Sequence, residues 1–509
     1  MTDDFVLPGG LPRRIHLLGL GGAGVSGAAR ILAARGAVLS GHDRAPSDLL
    51  RALTDDLPEV AVTLGDSTTA DLPGDAQLVA RSAAVPEDDP QVVEARRRGL
   101  PVLKYAALLG RLLPAGRGLA VAGTHGKTTT AWMLWHALDG IHRSLGDELG
   151  LPAPGALVGG LDPAVPGAGP RGTNATPGQP DGAFAVEACE YDRSFLELRP
   201  HGAAVTNVEA DHLDCFGDLA GVERAFAAFA DRVEPEGLVV VGPDVPEVVE
   251  HASPAPVWRL GRELTVHDDE VVDGRRRFVL RGPGWATPPV HLGVPGPVQV
   301  ENAALALALA VGTTCRRVDR TRWGELAAAA ALGLEGFRGA GRRFERWSRD
   351  GERTVVHDYA HHPTEVRALL AAAREAFAGA PLHVLFQPHQ HSRTARFLED
   401  FAAALAEAER VVVAPVYGAR VHVDGDHHAG APALAKRTRK LQGDAVAAED
   451  LGDAVARLVG GLVEDEDAVV LVLGAGDVEE VREDLLAALA DEDLSATGAT
   501  GATGAAGGA

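Results

Sequence analysis

An eight-residue stretch, Gly123-Thr-His-Gly-Lys127-Thr-Thr-Thr130, limits the folds open to this chain more than any other feature. It follows an apolar run, Gly118-Leu-Ala-Val-Ala122, that reads as a buried strand. It precedes Ala131-Trp-Met-Leu-Trp-His-Ala-Leu138, which reads as a helix. Strand, glycine turn, Lys-Thr and helix is the layout of a phosphate-binding loop. The glycines let backbone N–H groups approach phosphate oxygens, and the helix N-terminus adds partial positive charge. Lys127 can reach the outer phosphates, and the Thr128 hydroxyl can hold Mg²⁺. Lysine is scarce: Lys127 is one of four, against 44 arginines, so its place in the loop is not a matter of composition. The spacing departs from Gly-x4-Gly-Lys-[Ser/Thr], because Val121 stands where the first glycine would be.

A chain of 509 residues has room for about three domains. Its net charge of −23 argues against non-specific nucleic-acid binding, which needs a basic surface. The sequence offers no uninterrupted apolar span of membrane length and no signal peptide, so no membrane partner is expected. Cys189, Cys215 and Cys315 make neither a metal spacing nor a disulfide framework, which suits a reducing cytoplasm. Strand-like and helical patterns alternate almost throughout, as in an α/β protein with parallel sheets. The expected divisions are residues 1–115, 116–340 and 341–494, with 495–509 a low-complexity, disordered tail. Within the central division, Leu151 to Gly182 is rich in Gly and Pro and reads as a long surface loop. In the third, strands are expected at Thr354–Asp358, Leu382–Phe386, Val411–Val413 and Ala468–Leu473, and helices at Thr364–Ala376 and Thr394–Ala408.

Further motifs sit at strand ends. Gly19-x-Gly21-Gly22-x-Gly24 follows a strand and opens a helix, with Asp43 about 20 residues on. This is the dinucleotide fingerprint, with the acid placed for a ribose. It fits a nucleotide or nucleotide-sugar site, NAD(P), or a plain strand–helix turn. Glu187-Ala-Cys-Glu190-Tyr-Asp192 and Asn207-Val-Glu209-Ala-Asp211-His212 each follow an apolar strand in the same division as the phosphate loop. Carboxylates there suit Mg²⁺, an oxygen-seeking cation that bridges phosphates, and His212 is a candidate ligand for a second metal. Asn is rare, with only Asn174, Asn207 and Asn302, and Tyr is limited to Tyr105, Tyr191, Tyr359 and Tyr417. The third division offers Arg342-Arg343-Phe344, then His357-Asp358-Tyr359-Ala-His361-His362-Pro363, then His389-Gln-His391-Ser-Arg393. Arg393 at a helix start favours carboxylates or phosphates. A zinc pair is the rival reading of His389 and His391.

Taken together these motifs resemble the Mur ligase family, and within it the alanine-adding branch. The shortened Gly-Thr-His-Gly-Lys-Thr-Thr-Thr loop is that family's form, which accounts for Val121. Ile15 to Gly27, Leu39-Ser-Gly-His-Asp43 and Arg81-Ser82-Ala-Ala-Val85-Pro are similar to the same branch, and matched motifs run from about Arg14 to Asp477. The resemblance implies a Rossmann-like UDP-sugar domain, a central ATPase-like domain and a Rossmann-like C-terminal domain that closes over ATP. It implies ATP-dependent amide formation between the lactyl carboxylate of UDP-N-acetylmuramate and L-alanine, in a cytoplasmic monomer or homodimer.

By position, Gly123, Thr124, His125, Gly126, Lys127, Thr128, Thr129 and Asn302 would meet the nucleotide, with Arg343 near its γ-phosphate and Asp358 at its ribose. Thr128 and Glu187 would hold one Mg²⁺ and His212 a second. Lys127, Glu187, His212 and Arg343 would be the catalytic set. Gly19, Gly21, Gly22, Gly24, Asp43, Ser82, Tyr359, His361, His389 and Arg393 would line the sugar or amino-acid pocket. Three stretches depart from the family. Val298 and Gln299 replace a His-Asn pair. Gln390 replaces an Arg. Pro415-Val-Tyr417-Gly-Ala-Arg420-Val421 lacks two acids. These changes leave open a family ligase that takes another amine, such as a recycled tripeptide, and a UDP-sugar-binding relative without catalysis.

Overall fold

Short β-branched and alanine-rich runs buried on both faces form the strands, and the amphipathic segments between them form the covering helices. The computed structural model describes residues 6–7, 9–166, 168, 172–348, 353–418, 430–441, 443–462, 465 and 467–499. It contains three mostly parallel sheets.

The first sheet has strands β1 (Arg14–Leu18), β2 (Val38–Asp43), β3 (Ala61–Leu64), β4 (Leu78–Arg81) and β5 (Val102–Lys104). They lie in the order β3-β2-β1-β4-β5 and all pairs are parallel. The chain therefore reverses its direction of growth between β1 and β4, the place where doubly wound sheets open a crevice. Helix α1 (Ala23–Ala34) follows β1.

The second sheet is built from β6 (Gly118–Ala122), β7 (Gly155–Asp162), β8 (Thr173–Thr176), β9 (Phe184–Glu187), β10 (Gly202–Val205), β11 (Leu238–Val241) and β12 (Val257–Arg259). Their order is β8-β7-β9-β6-β10-β11-β12, parallel except for the antiparallel β7–β8 edge. Residues 151–182, expected as a surface loop, thus supply two strands. Glycine there serves close packing: a Cβ on Gly159 would stand 2.8 Å from Glu187 Oε2. Helix α2 (Lys127–Leu149) runs eleven residues past the expected end at Leu138. Helices α3 (Pro297–Cys315) and α4 (Trp323–Leu334) complete this part. Helix α3, interrupted by Gln299, Glu301 and Asn302, is by length and mean hydropathy long and apolar enough to cross a membrane, but 78% of that stretch is buried inside the fold, as befits a core helix.

The first two sheets share one hydrophobic core, which runs from Leu17 and Ile31 through Leu157 and Val186 to Phe229. Asn174 on β8, fully buried, pins the junction: its Nδ2 donates to the carbonyl of Ala23 and to Ser26 Oγ (3.2 Å) on α1. These residues form one compact unit, up to Ala340 but for short excursions near 271–276 and 294–298.

A second unit is built mainly from residue 341 onward. Its sheet comprises β13 (Glu345–Arg346), β14 (Val355–Asp358), β15 (Leu382–Phe386), β16 (Arg410–Val413), β17 (Asp444–Ala447) and β18 (Val469–Leu473), ordered β13-β14-β18-β15-β16-β17. Only β13 is antiparallel. Helix α5 (Pro363–Ala376) opens with His362 as its cap. The helix expected over Thr394–Ala408 is two, α6 (His391–Arg396) and α7 (Leu398–Leu405), broken at Phe397. Helix α8 (Arg482–Ala499) enters the span read as a tail, and residues 500–509 lie outside the described part, as do Arg420 and Val421.

Candidate active site

The phosphate-type loop follows β6, the middle strand of its sheet, between β9 and β10. Gly123 (φ +142°) and Gly126 (φ +79°) occupy backbone conformations that L side chains rarely adopt. A Cβ on Gly123 would lie 1.8 Å from Thr206 Oγ1, and one on Gly126 would lie 2.7 Å from Asn302 Oδ1. The loop is braced from β10: Thr124 N donates to Asn207 O (3.0 Å), His125 N to Asn207 Oδ1 (2.8 Å), and Thr206 Oγ1 to His125 O (2.6 Å). Glu209 N donates to Thr124 Oγ1 (2.8 Å). Asn302, near the start of α3, donates from Nδ2 to Gln299 Oε1 (3.0 Å), so Gln299 orients it.

The Lys127 ammonium is bound within the loop. It donates to Gly123 O (2.7 Å) and Thr124 O (2.9 Å) and pairs with Glu190 Oε2 (2.9 Å). Burial opposes its charge, yet the neighbouring Glu190 and Glu187 carboxylates outweigh that and hold it above the ordinary lysine value. Thr128 Oγ1 sits 3.1 and 3.0 Å from the two Glu187 oxygens, and Gly159 N donates to Glu187 Oε2 (2.9 Å). A hydroxyl and a carboxylate facing each other at the mouth of a phosphate loop are the hard oxygen donors Mg²⁺ takes. Thr129 is buried at the base of α2. His212, at φ +50° before the single turn Leu213–Phe216, places Nε2 3.8 Å from both Glu190 Oε1 and Asp211 Oδ2, with Tyr191 edge-on at 5.1 Å. The structure thus gathers Gly123 to Thr129, Glu187, His212 and Asn302 at one end of the sheet. Glu190 and Asn207, each named within a strand-end motif, join them: Glu190, read there among carboxylates that suit Mg²⁺, pairs with Lys127, and Asn207 braces the loop.

At the crevice of the first sheet, Gly22 caps α1 and Gly22 N donates to Gly19 O (3.1 Å) in a tight turn. A Cβ on Gly19 would meet Ser82 Cβ at 2.8 Å, and one on Gly24 would meet the Tyr105 ring at 2.7 Å, so both glycines are fixed by close approach. Ser82 follows β4, on the other side of the crevice. Asp43, expected to face a ribose, accepts from Gly21 N (2.7 Å) and so braces the glycine turn itself.

The second unit collects its candidates at the ends of β14, β15 and β16, with Arg343 just before β13. Asp358 accepts from Phe344 N and Ala360 N, both at 2.8 Å. The Arg343 guanidinium stacks over the Tyr359 ring at 5.1 Å. The His361 ring lies 5.6 Å from that of His389, which stacks on Tyr417 at 5.7 Å; Arg393 Nη1 approaches His389 Nδ1 at 3.4 Å. His391 heads α6. Tyr359, His361, His389, Arg393 and Tyr417 thereby make one aromatic and cationic cluster.

Burial raises the Asp358 carboxyl to about 6, against the opposing pull of Arg343. An acid with a native pKa above its unfolded value binds more protons when folded, so its contribution to stability falls as pH rises from about 4 to 6. Melting temperatures of wild type and Asp358→Asn across that window are expected to converge at low pH and to separate above 6, the wild type losing the increment that the variant keeps.

Three family models match the chain: Mur ligase family, catalytic domain, over residues 14–117; Mur ligase middle domain over 179–310; and Mur ligase, glutamate ligase domain, over 342–476. The chain belongs to the Mur ligase family, whose N-terminal, middle and C-terminal domains it carries in an α/β fold. It is 39% identical over 493 residues to the UDP-N-acetylmuramate–L-alanine ligase of Thermobifida fusca, covering 94% of this chain and 96% of the relative. It is 38% identical to the enzyme of the same name from Saccharopolyspora erythraea, covering 95% and 94%. Among solved structures it resembles the UDP-N-acetylmuramate-alanine ligase MurC from Thermotoga maritima, with a TM-score of 0.72, 26% identity, and coverage of 95% and 99%.

Proposed function

We propose that this protein joins L-alanine to the lactyl carboxylate of UDP-N-acetylmuramate, driven by ATP, in the synthesis of peptidoglycan precursors. The observation that carries the reading is the Lys127–Thr128–Glu187 arrangement at the mouth of the phosphate loop, in a chain similar over nearly its whole length to ligases of that name. A carboxylate is a poor electrophile. Its oxygen would attack the γ-phosphorus of ATP, releasing ADP and leaving an acyl phosphate. The amine of L-alanine would then attack the acyl carbon, and inorganic phosphate would leave.

Lys127 and the loop N–H groups would neutralise the charge that grows on the phosphoryl oxygens, and Asn302 would contact the nucleotide. Thr128 and Glu187 would hold Mg²⁺, with His212 at a second cation; the metal supplies charge neutralisation on the phosphates. The crevice at Gly19, Gly21, Gly22, Gly24 and Ser82 would take the UDP-sugar, with Asp43 shaping the turn. Residues 1–115 would serve the sugar and 116–340 the nucleotide. Within 341–494, Arg343 and Asp358 would serve the nucleotide, while Tyr359, His361, His389 and Arg393 would serve the amino acid or sugar. Such chemistry belongs in the cytoplasm.

Phosphate release from ATP with Mg²⁺ and UDP-N-acetylmuramate, each amino acid added in turn, tests this. Release is expected to depend on L-alanine. Release with a tripeptide instead would keep the mechanism and change the amine. Tight UDP-sugar binding without release under any condition would overturn the catalytic reading.

A further inference from the structure

Glu190 is the most deeply buried acid of the nucleotide end, 2% exposed, and it faces two cationic or ligating groups at once. Both carboxylate oxygens lie close to Lys127 Nζ, Oε2 at 2.9 Å and Oε1 at 3.1 Å, and Oε1 is also 3.8 Å from His212 Nε2. The remaining contacts of the ammonium are the loop's own carbonyls, Gly123 O and Thr124 O. The ammonium has three donors, and in this arrangement each has a protein acceptor. A phosphate that reaches Lys127 must therefore take the place of Glu190, and a carboxylate left beside a phosphate is repelled by it. The nearest groups that accept its charge are His212 and a cation held there.

We propose that Glu190 is an exchangeable counter-ion. It occupies the phosphate position on Lys127 in the nucleotide-free protein and moves to the cation beside His212 when nucleotide binds. This rests on the reading of the loop as a nucleotide site. Glu190 is thus a positioning residue that holds the lysine in the loop, suppresses nucleotide binding without metal, and makes the two events cooperative: nucleotide frees a cation ligand, and the cation stabilises the displaced carboxylate.

The test is the affinity of the full chain for ADP, measured by calorimetry in EDTA and again in Mg²⁺. Glu190→Gln keeps the shape and removes the charge. It is expected to bind metal-free ADP about tenfold tighter than wild type, because one close repulsion is gone, and to gain less affinity from Mg²⁺. Glu190→Asp, which keeps the charge but withdraws it by one methylene, is expected to show a smaller gain in EDTA. If neither variant binds metal-free ADP more tightly, or if Mg²⁺ improves the Gln variant as much as wild type, the exchange is wrong. Wild type that binds ADP in neither condition would instead defeat the reading of the loop itself, and so the two failures are distinguishable.

Discussion

Lys127→Ala is expected to abolish measurable turnover while leaving UDP-sugar affinity in place. Removing a phosphate-contacting charge from an enclosed site costs on the order of 3–5 kcal/mol of transition-state stabilisation, several hundred-fold or more in rate. The structure adds a second consequence. Glu190 is 2% exposed and is paired with Lys127, so the single variant leaves a buried carboxylate without its counter-ion. The melting temperature is expected to fall as well. The double variant Lys127→Ala/Glu190→Gln should recover much of the stability and none of the turnover. Phosphate release and thermal unfolding of both variants separate the two effects, and an unchanged rate in the single variant would sink the phosphate-loop assignment.

Gly123→Ala is expected to be nearly as severe by a different route. At φ +142° a side chain is strained whatever the space around it, typically by about 1–3 kcal/mol. The space is also taken: the new methyl would coincide with Thr206 Oγ1, which donates to His125 O at 2.6 Å. Relief requires either the loop or β10 to move, and both carry groups of the nucleotide end. A drop in melting temperature together with loss of ATP affinity is the expected result. Thr206→Ala combined with Gly123→Ala should return part of the stability, because the clash goes while the backbone strain stays. Equal ATP affinity in wild type and Gly123→Ala would show that the loop geometry does not matter for binding.

Local patterns were legible in the sequence to the extent that their causes are local. The loop from Gly123 to Thr129 announces itself because glycine, lysine and threonine each answer a need within seven residues. Strands β6 and β18 are continuous apolar runs, and α5 starts where His362-Pro363 and Glu365 say it should. Where distant contacts decide, the pattern is silent. Gly155 and Gly159 read as loop glycines, yet they belong to β7, where the Phe184 ring and the Glu187 carboxylate leave no room for a Cβ. Helix α2 runs to Leu149 because α4 packs along it, an influence from nearly two hundred residues away. Asp43 ends β2, and nothing in its local sequence shows that its Oδ2 accepts from Gly21 N. Glu190 stood inside the Glu187–Asp192 motif, read as a carboxylate for Mg²⁺; its ion pair with Lys127 could be found only once β9 lay beside β6.

The buried amide of Asn174 has a consequence for how the molecule comes apart. It ties the outermost strand of one sheet to the first turn of a helix that belongs to another, over a core without a break. The glycine crevice of the first sheet and the phosphate-type loop of the second are therefore not two modules that can be exchanged, truncated or loosened one at a time. A lesion in the β7–β8 ribbon, far from either loop in sequence, would be felt at Gly22 and at Glu187 together. Homologous replacement of the first sheet alone would have to bring its own partner for that amide, so changes at the glycine crevice come under a constraint set by its neighbour's edge strand.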